Sequence, residues 1–168
     1  VVGFPAGGAA NFSGALSFET WVNFSTIKTG ASAWNVIASH WFSDTSGTGS
    51  GDWHFAIYNN RLQVNTGATN TTIGSKVWSS TTDINKWYLI GFTIDASNTV
   101  QIYVNGRADG AAGLNKPRTP DANALLWIGD GRTNNTVRMA GEISRARLYN
   151  TSLTGAQMLS NFSGEAVT

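Results

Sequence analysis

The strongest constraint on this chain is the period of its apolar residues. Almost everywhere that period is two, in short runs separated by Gly, Asn, Asp and Ser: ALSFETWVNF (15–24), WNVIASHWF (34–42), WHFAIYN (53–59), RLQVNT (61–66), KWYLIGFTID (86–95), TVQIYVNG (99–106), ALLWIG (124–129) and EISRARLYN (142–150). Side chains of an extended chain point alternately to two faces, so each run offers one face for burial. Eight such runs predict an all-β fold, a two-sheet antiparallel β-sandwich. Asn59-Asn60, Ala96-Ser97-Asn98 and Asn105-Gly106 are short connections of residues that suit tight turns, so they close hairpins rather than crossovers. One helical signal stands late in the chain. Thr154 followed three residues on by Gln157 has capping-box spacing, and Met158, Leu159 and Phe162 fall on one face, which predicts one short C-terminal helix. Residues 106–123, with two of the three prolines, read as a long irregular loop.

At 168 residues the chain is expected to be a single domain, 1–168, and its start at Val1-Val2 suggests part of a longer polypeptide. Charged residues make up 12% and the net charge is +1, so no basic stripe for nucleic acid exists. No apolar run is long enough for membrane insertion. There are no cysteines, which removes disulfides and thiolate metal sites. A polar complement built from Ser, Thr, Asn and Gly points to a secreted, cell-surface or virion-surface protein. Asn-X-Ser/Thr triplets at Asn11, Asn23, Asn70, Asn134, Asn150 and Asn161 are what so much Asn, Ser and Thr produces by chance.

Four segments in order resemble the laminin G-like, concanavalin A-like jelly-roll domains. LSFETWVNF carries Glu19-Thr20-Trp21 in an apolar alternation; KWYLIGFTIDASNTVQIYVNG carries Trp87-Tyr88, Asp95 and Tyr103-Val104-Asn105-Gly106. LLWIGD resembles the family's Ile-Gly strand, and GEISRARLYNTSLTGAQM its closing strand and helix, with Gly141, Ile143, Arg147, Tyr149, Asn150 and Leu153 in matching places. The resemblance spans about residues 15 to 160. It implies a concanavalin A-like jelly roll, a fold that hosts lectins, carbohydrate-binding modules, glycosidases, polysaccharide lyases and adhesion domains. One departure is that Ile143-Ser144-Arg145 replaces an Ile-Asp-Glu step, losing two carboxylates that could serve calcium. Asp130, Asn134 and Asn135 are the oxygen donors left nearby for a calcium ion.

The chemistry of catalysis is poorly represented. Retaining glycoside hydrolysis needs two close carboxylates, which this fold commonly supplies as Glu-x-Asp-x-x-Glu along one strand. Glu occurs only at 19, 142 and 165, the first two inside expected strands and the third near the chain end. Arg145, Arg147 and Tyr149 superficially offer a lyase its cation and base, at spacings the closing strand supplies without chemistry. TSGTGSGD lacks the Gly-Lys-Ser/Thr ending of a phosphate loop. A non-enzymatic role is therefore expected.

The most suggestive stretch is HWFSDTSGTGSGDWHF (40–55), which reads nearly the same from both ends. As a hairpin in mirror register it would set His40 opposite His54 and Trp41 opposite Trp53, with the tryptophans inward and the histidines outward. Those histidines with Asp44 and Asp52 could form a zinc site, but sugar recognition demands less: a flat ring and fixed donors and acceptors. Trp78, in the polar segment GSKVWSSTT, is a further stacking candidate, while Trp21, Trp34, Trp87 and Trp127 read as core residues. The expectation is thus a non-catalytic carbohydrate-binding or adhesion module. It would contact polysaccharide through His40, Trp41, Asp44, Asp52, Trp53, His54 and Trp78, with stacking and neutral hydrogen bonds rather than charge carrying the affinity. The alternative is a structural domain of a virion, fibre or surface assembly, packed against neighbouring chains with no small ligand.

Overall fold

Tight turns and alternating strands produce the expected sandwich. The structure, a computed structural model, describes residues 2–4, 12–30, 33–41, 51–67, 70–120, 124–130 and 137–165, with the backbone alone at 2–4, 41 and 70. Its elements are β1 (Val2–Phe4), β2 (Leu16–Thr26), β3 (Trp34–Trp41), β4 (Gly51–Tyr58), β5 (Arg61–Thr66) and β6 (Asn70–Val77). They continue with β7 (Trp87–Ile94), β8 (Val100–Val104), β9 (Arg107–Ala108), β10 (Leu125–Ile128), β11 (Ala140–Tyr149) and α1 (Gly155–Gly164). Six strands form one antiparallel sheet, ordered β1-β10-β3-β4-β5-β6, and five form the other, ordered β11-β2-β7-β8-β9.

The inner faces meet through aromatic rings. Phe18 of β2 lies 5.6 Å from Trp53 of β4, and Phe92 of β7 lies 5.2 Å from Trp53 and 5.3 Å from Phe55, all four fully or almost fully buried. Leu16, Val22, Phe24, Ile57, Leu62, Val64, Ile90 and Ile102 extend the same layer. Each of these comes from the apolar phase of its strand, which is why the alternation was readable.

The turns behave as their residues require. Asn59 and Asn60 have φ of 47° and 62°, and Asn105 and Gly106 have 50° and 72°, the doubly positive pattern of hairpin turns that follow strand twist. Helix α1 starts with the anticipated capping box: Gln157 N donates to Thr154 Oγ1 (3.2 Å) and Thr154 N donates to Gln157 Oε1 (2.8 Å). It covers the outer face of the five-stranded sheet with buried Met158 and with Phe162, which stacks on Trp21 at 5.8 Å. Leu159, expected on that covering face, is instead 40% exposed.

Residues 106–120, the described part of the expected long loop, are held by backbone pairing. Gly113 exchanges two backbone hydrogen bonds with Val100 (2.8 and 2.9 Å), and Lys116 N donates to Asn98 O at 2.8 Å. Strand β6 escaped the sequence reading because its inward positions Thr72 and Gly74 are not apolar, while its apolar residues Ile73 and Val77 face outward, 49% and 58% exposed.

Gly141, at a bulge where β11 meets β2, has φ +143°, and a Cβ there would lie 2.0 Å from Asn23 O and 2.9 Å from Phe24 Cα. Both obstacles are backbone. Gly141→Ala is expected to cost at least about 2 kcal/mol. The thermal midpoint should then drop by about 4–8 °C, as read by circular dichroism.

Candidate functional site

The hairpin at 40–55 forms, but not in mirror register. β3 and β4 pair as Ser39↔His54, His40↔Trp53 and Trp41↔Gly51, with irregularities at Val36/Ala38 and His40/Trp41. Ile37 on β3 and Asp52 on β4 are the extra residues, and a one-residue slip turns a side chain to the other face of the sheet. His40 therefore points inward beside Trp53, at 2% exposure, and is not an outward residue. His54 alone faces outward, so the two histidines lie on opposite faces and cannot share a zinc ion. Trp53 is core, with no exposure. Trp78 is also core, 1% exposed, edge-on to Phe24 at 5.6 Å and to Tyr88 at 4.9 Å. It is not a stacking platform. Asp44 lies outside the described residues, and Trp41 is described only through its backbone pairing.

Asp52 is a structural anchor. Fully buried, it receives Arg118 Nε on Oδ1 and Arg118 Nη2 on Oδ2, both at 2.6 Å, and His40 Nδ1 lies 3.2 Å from Oδ2. The Arg118 side chain, 4% exposed, also donates to Gly14 O at 2.6 Å and to Phe12 O. This bidentate pair fastens the segment before β10 and the strand entering β2 to β4. It leaves Asp52 no capacity for sugar.

The exposed aromatic surface is elsewhere, on the outer face of the six-stranded sheet. Because Trp53, Phe55 and Ile57 face the core, His54, Ala56 and Tyr58 face away from it. Trp34 pairs directly with Tyr58, and the rings stack at 4.1 Å with an interplanar angle of 29°. The same indole meets His54 edge-on at 5.1 Å. A ring that touches both Tyr58 and His54 must lie along the sheet over the intervening small side chain, and Ala56 and its partner Val36 are indeed fully buried. Trp34, His54 and Tyr58 remain half-buried. Beside them on β5 stand Arg61, Gln63 and Asn65, opposite Tyr58, Ala56 and His54 respectively. Asn65 Oδ1, like Trp127 Nε1 on the same face, has no hydrogen-bond partner among the described residues. Trp34 had read as core and Trp78 as rim; the structure exchanges those roles.

Arg147 and Tyr149, the lyase-like pair, are consumed beneath α1. Glu19, fully buried on the outward phase of β2, accepts on Oε1 from Tyr149 Oη (2.8 Å), Asn161 Nδ2 (2.8 Å) and Arg147 Nη1 (3.2 Å). Burial and then the bond to Glu19 push the Tyr149 hydroxyl up to about 12, the wrong direction for a base. Glu165, expected at a frayed end, instead accepts from Arg147 through both carboxylate oxygens, 2.7 Å for Nη1 to Oε2, and from Trp21 Nε1 at 3.4 Å. Hydrogen bonding to Arg147 holds its carboxyl below the ordinary 4.5. Burial alone would raise Asp83, but hydrogen bonds from Lys76, Ser79 N and Tyr88 outweigh it and bring the carboxyl below 3.8.

Carboxyls depressed in the folded state supply stability that is full above their unfolded values and fades as pH falls through the folded ones. The thermal midpoint is therefore expected to hold from pH 7 to about 5 and to fall below about 4.5. Glu165→Gln should start lower at pH 7 and fall less steeply; an identical slope would show that the Arg147–Glu165 contact has no such role.

Asp130, the described member of the calcium set, is 1% exposed and receives Arg138 Nε at 2.5 Å, so a cation already neutralises it. Asn134 and Asn135 lie outside the described residues. Among the described residues no group of three His, Cys, Asp or Glu could hold a metal ion, and no helix is long and apolar enough to cross a membrane.

The family model of the concanavalin A-like lectin/glucanases superfamily matches residues 2–158. No curated protein matches the sequence. Among solved structures, domain 4 of a GH43 extracellular arabinanase from Geobacillus stearothermophilus, in complex with arabinotriose, superposes with a TM-score of 0.66 at 20% identity, over 94% of this chain and 70% of that one. A protein from Bacteroides ovatus assigned as carbohydrate binding gives 0.66 at 19% identity, over 90% and 42%. A Trypanosoma rangeli sialidase gives 0.66 at 13% identity, over 89% of this chain, which spans 23% of the sialidase. At these identities the likeness is one of fold.

Proposed function

The chain belongs to the concanavalin A-like lectin/glucanase superfamily, and from that footing we propose that it is a non-catalytic carbohydrate-binding module whose ligand lies on the outer face of the six-stranded sheet. The observation that carries this reading is the half-exposed Trp34–Tyr58 stack with His54 at its edge, bordered by Gln63 and Asn65. A sugar ring needs an apolar surface to stack on and fixed amides around it for its hydroxyls. This face offers the apolar surface, with the half-buried Asn65 amide at its border and Gln63 beside it held by its Nε2 donating to Tyr58 O at 3.4 Å. The arabinanase domain bound to arabinotriose supports a glycan as ligand, and the commitment of Arg147 and Tyr149 to Glu19 and Glu165 supports a binding role over lyase chemistry. A module of this kind acts outside the cell or at a surface, where polysaccharide is found.

Binding to a glycan array, with and without calcium, and assay for released reducing ends or unsaturated products test the proposal together. Binding without product is the expected result. Absence of binding to every glycan, in a protein that sediments as an oligomer, would replace it with the reading of a structural domain in a larger assembly.

A further inference from the structure

Building on the outer-face reading, we infer that the ligand is a polyuronate, a chain of hexuronic acid units, and that Arg61 receives its carboxylate. The ground is a row of directly opposed residues across four strands: Trp34↔Tyr58 between β3 and β4, Tyr58↔Arg61 between β4 and β5, and Arg61↔Val77 between β5 and β6. Opposed residues share a face, and neighbouring strands lie about 4.8 Å apart. An aromatic stack, a guanidinium and a 58% exposed aliphatic side chain thus follow one another in line across the sheet.

Arg61 is held in place without being neutralised. Its Nη1 donates to Gly74 O at 3.2 Å and Ser75 O at 2.8 Å, which fixes the guanidinium against the bulged stretch of β6. Among the described residues no carboxylate pairs with it. Asp52 is engaged by Arg118, Asp83 by Lys76, Asp130 by Arg138, and Glu19 and Glu165 by Arg147. Asp109, which reaches the same part of β6, accepts on Oδ1 from the Ser75 and Lys76 amides, while its Oδ2 lies against Gly74, next to Leu62 of the core. Among the described residues, the platform therefore carries a fixed positive charge with no paired carboxylate.

A hexuronic acid matches that pattern. Its carboxylate leaves the sugar ring near the plane of the ring, so a pyranose lying on the aromatic surface directs it sideways, toward the neighbouring strand. Arginine binds a planar carboxylate through two parallel hydrogen bonds, a geometry a neutral hydroxymethyl group cannot reproduce. Charge thus joins the stacking and neutral hydrogen bonds expected from sequence.

The test is calorimetric titration of the whole chain with oligogalacturonate and with the same oligomers fully methyl-esterified, which changes only the carboxylate. The acid is expected to bind at least about tenfold more tightly, with the advantage shrinking as NaCl rises from about 0.05 to 0.5 M. Arg61→Gln should bring acid and ester within about twofold of each other, and Arg61→Lys should keep part of the preference. Because Arg61 also ties β6, both variants are followed by thermal unfolding; the ligand comparison on the unaltered protein stands whatever they show. Ester binding as tight as acid, or tighter binding of a sulfated glycan free of uronate, would overturn the assignment while leaving glycan recognition in place. Failure of every glycan to bind would remove both.

Discussion

Replacing Arg118 by alanine will destabilise the domain by about 3–5 kcal/mol, because the fully buried Asp52 carboxylate would lose its counter-charge. In a chain of 168 residues this amounts to a fall in thermal midpoint of about 6–20 °C. The loss is large because a single guanidinium serves three partners: Asp52 on β4, and the carbonyls of Phe12 and Gly14 ahead of β2. His40, 3.2 Å from Asp52, cannot replace the two-pronged contact. Urea unfolding gives the measurement. Asp52→Asn combined with Arg118→Met removes both charges at once and should recover a substantial part of the loss, since the damage in the single variant comes from an unpaired buried charge. A loss below about 1 kcal/mol for Arg118→Ala, the range of surface ion pairs, would contradict the buried clasp.

Trp34→Ala will remove most glycan affinity. A sugar ring covering about 100 Å² of indole gains about 2.5 kcal/mol at about 25 cal/mol per Å², so the dissociation constant should rise by about 50–100-fold. The variant also uncovers Val36 and Ala56 and loses the Tyr58 stack, at a stability cost of about 1–2 kcal/mol, which a domain of ordinary stability tolerates. Trp78→Ala is the informative contrast. That indole is packed between Phe24 and Tyr88, so its removal should cost about 3–5 kcal/mol and affect binding only through unfolding. Comparable glycan affinity in Trp34→Ala and the parent would place the ligand elsewhere.

These two tryptophans show where the sequence was legible and where it was not. Strands β2, β7 and β8 could be read because their inward phase is apolar apart from Thr20: Leu16, Phe18, Val22 and Phe24 on β2, and Ile90, Phe92 and Ile94 on β7, all face the core. The capping box at Thr154 and the asparagine turns are local chemistry and formed as written. The proposed binding surface was harder to find because bulges at Ile37 and Asp52 shift the register of β3 and β4, and nothing in the local pattern of HWFSDTSGTGSGDWHF shows an added residue. His40 turned inward on that account. Trp78 was misread for a second reason: its neighbours in sequence are mostly polar, and its burial comes from Tyr88 on the following strand and from Phe24, distant along the chain. Trp34 looked like core because it sits beside Val36 and Ile37, yet its indole lies on the far side of the sheet. The shared clue was the small residue Ala56, flanked by His54 and Tyr58 at two-residue spacing, which leaves a seat for a ring from the next strand.

The most direct test of outer-face glycan recognition is a two-dimensional NMR titration of the labelled protein with the glycan selected by the array. Shifts concentrated at the Trp34 indole, the Tyr58 and His54 rings, and the Gln63 and Asn65 amides are the predicted result. Shifts confined to the five-stranded sheet or to the termini of the chain, with those five residues unmoved, would contradict it.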